Sequence, residues 1–305
     1  MPEPDELARA HSRRLADRIR AEIDSLGSPI PFRRYMELAL YEPGLGYYAA
    51  AGGAALTQGS DFVTAPAVSP LFARCLARQC AEVLDAMPVE VFRVGTDGVE
   101  QRCTTYDGEG NPADCWLRAP ECVARAVAAI EADLGRSLPP GYRSEYNPRL
   151  HGWFAGLAGS LRRGAVLLVD YGYVRSEYYL PERTMGTLVC TRAHRAHDDP
   201  YDWPGLTDIS AFVDFTAVTE AATAAGFELE GFSPQAHFLI GCGLEEICRE
   251  AMGAGDDRVR FEASQQIKRL TLPGEMGERF NAIGFSRGLD VPLSAFAVND
   301  LSSRL

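Results

Sequence analysis

Asp170-Tyr-Gly-Tyr173 follows the apolar run Ala165-Val-Leu-Leu-Val169. A buried strand ending in a carboxylate places that acid at the carboxyl edge of a sheet, where open α/β proteins bind their ligands. Asp61 sits between the Gly/Ala-rich stretch 49–60 and Thr64-Ala-Pro66. An exposed carboxylate there can receive a proton or hold a cationic group, and it can equally cap the helix that follows. His194-Arg-Ala-His197-Asp-Asp199 has the residue types of a metal or acid/base site. It follows a strand and runs into Pro200, so it reads as polar loop ahead of a metal site. A nucleotide-type cofactor needs a strand, a Gly-rich turn and a helix N-terminus. The one match in form is Phe238-Leu-Ile-Gly-Cys-Gly-Leu-Glu-Glu246. It comes after the last strands, whereas the fingerprint belongs to the first βα unit, so it reads as a tight strand-to-helix turn. HExxH and P-loop motifs are absent from the sequence, and no metal is expected.

The elements that must position these residues belong to a chain of 305 residues with a formal net charge of −12 and 46% apolar residues. That length allows one large domain or two small ones with a real core. The acidic balance argues against nucleic acid or an anionic membrane surface as partner. No apolar run reaches the ~18 residues of a membrane span. Eight cysteines without a CxxC pair suggest neither structural zinc nor a disulfide scaffold, but reduced thiols and a cytoplasmic location. The N-terminal amphipathic pattern is rich in acids, unlike a transit peptide. Lys268 is the only lysine among 30 basic residues, a bias that suggests a bacterial source.

Helices are expected at 5–27, 31–40, 68–86, 120–134, 150–162, 208–226, 243–252 and 257–269. Strands are expected at 89–94 and 101–105, joined by a Gly-Thr-Asp-Gly hairpin signal, then at 165–171, 187–191, 227–232 and 236–240. Residues 49–60 read as a mobile loop, and 283–296 as loop or short strand. Alternating helices and strands with one fully buried strand indicate an α/β sheet protein.

At this point the blocks resemble a known family. Pro31-Phe-Arg-Arg-Tyr-Met-Glu-Leu-Ala-Leu-Tyr-Glu-Pro-Gly-Leu-Gly-Tyr-Tyr48, Ser60-Asp-Phe-Val-Thr-Ala-Pro66 and Ser69-Pro-Leu-Phe72 are similar to the opening of the MidA family. The likeness continues at Glu82-Val-Leu-Asp-Ala-Met-Pro-Val89, Tyr142-Arg-Ser-Glu-Tyr-Asn147 and Asp170-Tyr-Gly-Tyr-Val-Arg-Ser-Glu-Tyr-Tyr179. It goes on through Gly186-Thr-Leu-Val-Cys190, Asp208-Ile-Ser-Ala-Phe-Val-Asp-Phe-Thr216, Gln235-Ala-His-Phe-Leu239 and Leu272-Pro-Gly-Glu-Met-Gly-Glu278. The family comprises class I S-adenosylmethionine (SAM)-dependent methyltransferases. Its mitochondrial branch assembles respiratory complex I and methylates a protein arginine. The resemblance implies a seven-stranded Rossmann-like sheet and a SAM site. It also implies catalytic roles for Asp61, Thr64, Glu82 and Asp85, with Asp170 and Tyr171 bordering the site.

One departure from the family pattern is large. Leu76-Ala-Arg-Gln-Cys80 is joined directly to Ala81-Glu-Val-Leu-Asp-Ala-Met-Pro88, although the family places its Gly-rich turn, its ribose-binding acid and about four strands between them. Ala81 stands where the family has Asn beside the Glu matched by Glu82. By the size of βα units, roughly 60–90 residues are missing. The expectation is an incomplete Rossmann-like sheet. Residues 1–80 would form an N-terminal helical segment with a Gly-rich loop, and 81–305 a remnant methyltransferase domain with C-terminal helical and strand additions. The sheet would carry unpaired strand edges and an uncovered face, and the chain would not bind SAM. The lineage reading is a protein-arginine methyltransferase inactive as written. The alternative is a non-catalytic binding or assembly module for a protein partner such as a respiratory-complex subunit.

Overall fold

Asp5 opens the first helix, Glu6–Leu26, by accepting the Ala8 N–H at 2.8 Å, and Gly27 closes it with φ 62°. Both devices satisfy helix-end groups that would otherwise lack partners. Its buried residues Ser12, Leu15, Ile19 and Ile23 fall at helical spacing on one face. The computed structural model describes residues 3–50, 87–254 and 257–305. The expected 49–60 loop, apart from residues 49 and 50, and the whole of the expected 68–86 helix lie outside these residues, as does the 80/81 junction.

The described residues fall into two units. The first gathers 3–50, 87–148 and 179–211, and the second 149–178, 212–254 and 257–305.

In the first unit, β1 (Ile30–Pro31), β2 (Glu90–Gly95), β3 (Gly98–Tyr106), β4 (Pro112–Arg118) and β5 (Arg143–Tyr146) form one antiparallel sheet of order β1-β3-β2-β5, with β4 on β3. The expected hairpin is present, with Gly95 and Gly98 as partners across a two-residue turn. Helices Phe32–Tyr41 and Glu121–Leu134 complete this part. A small sheet follows, ordered β8-β7-β9, from β7 (Val189–Arg192), β8 (Arg195–His197) and β9 (Asp208–Ser210). The core joins Leu15, Ile19, Phe32, Tyr35 and Met36 to Val91, Cys190 and Ile209.

In the second unit, β6 (Gly164–Tyr173), β10 (Val213–Asp214), β11 (Glu228–Pro234) and β12 (Phe280–Arg287) make a sheet of order β10-β6-β12-β11. Only the β6–β10 pair is parallel. Because β12 runs antiparallel between β6 and β11, the carboxyl ends of β6 and β11 share a sheet edge with the start of β12. Helices Leu150–Ser160 and Phe215–Ala224 belong to this unit, and Phe154 meets Phe227 and Phe285 at ring distances of 5.9 and 5.6 Å. Helices Gln235–Gly241, Leu244–Ala254 and Asp257–Thr271 build a second core with Val169, Phe280 and Ala282.

The α/β class holds, and four expectations are corrected. Residues 208–226 are not one helix but β9, β10 and helix Phe215–Ala224. Residues 236–240 are helical, and β11 takes β12 as its partner instead. The segment expected as loop or short strand from 283 contains most of β12, an inner strand of its sheet. The face of β6 is covered, since Leu168 is 0% exposed and Val169 4%. On the edge away from β12, the described residues provide a ladder only at Gly172 and Tyr173.

Candidate functional site

The carboxyl end of β6 is built by three strands. Asp170 is 1% exposed, and its Oδ1 accepts the Tyr171 N–H at 2.7 Å. Strand register sets Asn281 opposite Asp170 and Phe280 opposite Tyr171. Side chains alternate along a strand, so Asp170 and Asn281 share one face while Tyr171 and Phe280 share the other. Asn281 Nδ2 donates to the Gly172 carbonyl at 3.0 Å. On the other flank, Gly172 pairs with Val213 so closely that a Cβ at Gly172 would lie 2.2 Å from the Val213 carbonyl oxygen. Only glycine fits there.

An aromatic group covers the Tyr171 face. Tyr171 lies 4.0 Å from Phe280 and 6.0 Å from Phe212 by ring centroid, and Tyr173 lies 5.6 Å from Phe212. Behind the strand end, Arg175 is buried. It donates from Nε to Asp214 at 3.2 Å and from both terminal nitrogens to Glu220 at 2.8 and 2.5 Å. The Arg175 N–H bonds to Thr216 Oγ1 at 3.0 Å, while Asp214 Oδ1 caps helix Phe215–Ala224 through the N–H groups of Thr216 and Ala217. Burial works against the Arg175 charge, but Glu220 and Asp214 more than offset it and hold the guanidinium above its ordinary pKa. The result is a strand end with π surface on one face and a buried carboxylate on the other. Such a combination suits the orientation of a cationic or polar group.

Of the residues expected to act, Asp170 and Tyr171 stand at this strand end. Asp61, Thr64, Glu82 and Asp85 lie outside the described residues. Phe212, Asp214, Arg175 and Asn281 were missed as contributors. The signal for Asp214 was its Asp-Phe-Thr cap pattern, hidden inside the helix expected at 208–226.

The other sequence candidates resolve into structure. His194 forms the tip of the β7–β8 hairpin with Ala193, both at positive φ (59° and 51°). Among the described residues no group of three His, Cys, Asp or Glu side chains could hold a metal ion. The Gly241-Cys-Gly243 turn follows a helix, not a strand, and a Cβ at Gly241 would lie 2.1 Å from the Ala295 carbonyl oxygen. Its glycine admits a neighbouring backbone.

Residues 74–233 match the family described as "Putative S-adenosyl-L-methionine-dependent methyltransferase". That is more than half of the chain. The chain belongs to this methyltransferase family. A crystallised protein from Burkholderia thailandensis, bound to S-adenosyl-homocysteine, is 32% identical with a TM-score of 0.91, covering 100% of both chains. A second crystal structure from the same organism gives 31% identity and a TM-score of 0.88, again over 100% of both chains. The mitochondrial protein arginine methyltransferase NDUFAF7 of Danio rerio is 29% identical over 119 residues, which are 38% of this chain and 26% of that protein. The match thus spans about a quarter of that relative's length.

The family's cofactor can be tested against the described geometry. A SAM site needs backbone N–H groups presented by a Gly-rich turn between a strand and a helix N-terminus. Gly172 and Gly241 are each approached by a neighbouring carbonyl, whereas Gly243, directly before helix Leu244–Ala254, has open space at its Cβ position.

Proposed function

We propose that this chain retains the methyl-acceptor end of a SAM-dependent methyltransferase, that its lineage acts on a protein arginine or a similar group, and that it does not bind SAM or turn over alone. What supports the reading is the close approach of a backbone carbonyl to Gly172, from Val213, and to Gly241, from Ala295. It agrees with a sequence in which Cys80 runs directly into Ala81, where the family has its cofactor-binding block. On this reading residues 1–80 are the N-terminal segment and 81–305 the remaining methyltransferase domain. Asp61, Thr64, Glu82 and Asp85 supply carboxylates and a hydroxyl to the acceptor side. The protein works in the cytoplasm on a protein substrate or partner.

Isothermal titration of the full chain with SAM tests the reading. No saturable heat is expected. Micromolar binding would place the chain functionally beside its S-adenosyl-homocysteine-bound relative and overturn the loss of the cofactor site.

A second reading takes the packed cores of the two units as the support for a binding surface. In it the chain is a non-catalytic module that binds a protein partner, for example a respiratory-complex subunit. Partner co-purification would then survive Asp61→Ala. Loss of cellular activity in that variant would remove this reading.

A further inference from the structure

Cys103 and Cys115 are partners in the antiparallel register of β3 and β4. The Asp107 N–H bonds to the Asn111 carbonyl at 2.9 Å at the hairpin end. Bonded and non-bonded pairs alternate from there, so 105–113 and 103–115 are bonded positions. Pro112, which has no N–H, falls on a non-bonded one, as it must. A bonded pair holds its Cα atoms about 5.5 Å apart. That lies inside the ~4.4–6.8 Å span that a disulfide bridges. Directly opposed residues project from the same face of the sheet, so the two thiols are neighbours. Cys103 is buried and Cys115 half-buried, and both are free thiols. One is open to a small reagent and the other is screened from it. Among the described residues, no other two cysteines are ladder partners.

We propose that Cys103 and Cys115 form a cross-strand dithiol that closes reversibly to a disulfide when it meets a low-molecular-weight disulfide. The Cys115 thiolate attacks one sulfur of the oxidant, the oxidant's S–S bond breaks, and one small thiol leaves. Cys103 then loses its proton and attacks the Cys115 sulfur, and the second small thiol leaves. Two protein thiols are oxidised and one small disulfide is reduced to two thiols. Burial pushes the Cys103 thiol up to about 12 and raises Cys115 as well. Accessibility therefore assigns the first attack to Cys115. Cys103 completes the reaction because its partner sulfur is already in place. Bonded ladder positions keep Cβ atoms at the wide end of the cross-strand range. Closure must draw the strands together, which makes the bridge easy to reduce.

The full chain is incubated with oxidised glutathione, remaining thiols are alkylated with iodoacetamide in denaturant, and peptides are mapped by mass spectrometry. The expected product is a peptide pair joined through Cys103 and Cys115, two hydrogens lighter than the dithiol, that disappears in reduced glutathione. Full alkylation of both thiols, a lasting glutathione adduct on Cys115 without the cross-link, a bridge to a different cysteine, or a bridge that survives reduced glutathione would each overturn the proposal. In Cys103→Ser the glutathione adduct on Cys115 is expected to accumulate. Its absence would refute the order of attack.

Discussion

Glu145 on β5 accepts both hydrogen-bond donors of Thr187, the backbone N–H at 3.0 Å and the hydroxyl at 3.2 Å, through one carboxylate oxygen. The bonds join the Tyr142–Asn147 block to the Gly186–Cys190 block, two sequence signatures now seen to be one structural feature. Tyr179 reinforces it by donating its hydroxyl to the Glu145 carbonyl at 3.0 Å.

The buried Glu145 carboxyl gives a pH prediction. Burial pushes its pKa above the ordinary carboxylate value, and the Thr187 hydrogen bonds only partly reverse this. A folded pKa raised above the unfolded one means that the protonated form stabilises the fold. That contribution is present below the unfolded pKa and is lost as pH rises through the folded one. Glu145→Gln imitates the neutral acid. Wild type is therefore expected to lose stability relative to Glu145→Gln as pH rises upward from the ordinary carboxylate range. Urea midpoints of both proteins at a series of pH values read the difference. A gap that is constant, or that favours wild type more at higher pH, contradicts the assignment.

Gly186 makes the Glu145 contact sterically possible. Its φ is +76°, and a Cβ there would lie 2.1 Å from Glu145 Oε1. Gly186→Ala combines a left-handed backbone, which costs an L-residue about 1–2 kcal/mol, with displacement of a buried acid. The expected loss is more than about 2 kcal/mol, read as a lowered thermal midpoint. Adding Glu145→Ala should recover part of it by opening space. If the double variant is as unstable as the sum of the singles, the clash is not the cause.

The Arg175–Asp214 pair lies at the rear of the candidate site, with both side chains about nine-tenths buried. Removing one member of such a pair strands the other charge, at a cost of about 3–5 kcal/mol. Arg175→Met is expected to behave this way in denaturant unfolding. Asp214→Asn keeps the helix cap and should be milder. The Arg175→Met/Asp214→Asn double variant should be closer to wild type than Arg175→Met alone. A double variant no more stable than Arg175→Met would mean that Asp214 is not the charge stranded by the loss of Arg175.

The strand leading into the site was visible in the sequence because an inner strand is written as an unbroken apolar run, Ala165 to Val169, of which Val166, Leu168 and Val169 are buried. The hairpin at Gly95–Gly98 was visible for its turn chemistry. Phe280–Arg287 was not, because Asn281, Gly284 and Ser286 interrupt its apolar content. Asn281 holds Gly172, and a Cβ at Gly284 would meet the Phe296 ring. The stretch Ala236–Ile240 was mistaken for a strand since five consecutive apolar or aromatic-compatible residues carry no periodicity that separates helix from strand. At the site, Asp170 could be placed from the strand end alone. Arg175 and Asn281 could not, because their partners Asp214 and Gly172 are 39 and 109 residues away. Tertiary pairings of that range leave no local pattern.

Gly172 and Asn281 allow a graded test of how the strand end is held. Asn281 contributes one neutral hydrogen bond to the Gly172 carbonyl. Its loss in Asn281→Ala should cost about 0.5–1.5 kcal/mol, rising toward about 3 kcal/mol if the carbonyl is left without a partner. Gly172→Ala acts on the opposite flank, where the new Cβ meets the Val213 carbonyl oxygen at 2.2 Å and Phe215 at 2.8 Å. Backbone cannot yield as a flexible side chain can, so β10 must separate from β6, taking with it the Asp214 cap and the Phe212 ring that stacks on Tyr171. Gly172→Ala is therefore expected to be the more destabilising of the two in urea. It should also raise amide hydrogen exchange across Phe212–Thr216, a segment that Asn281→Ala leaves protected. Equal exchange in the two variants would show that β10 is not held by its approach to Gly172.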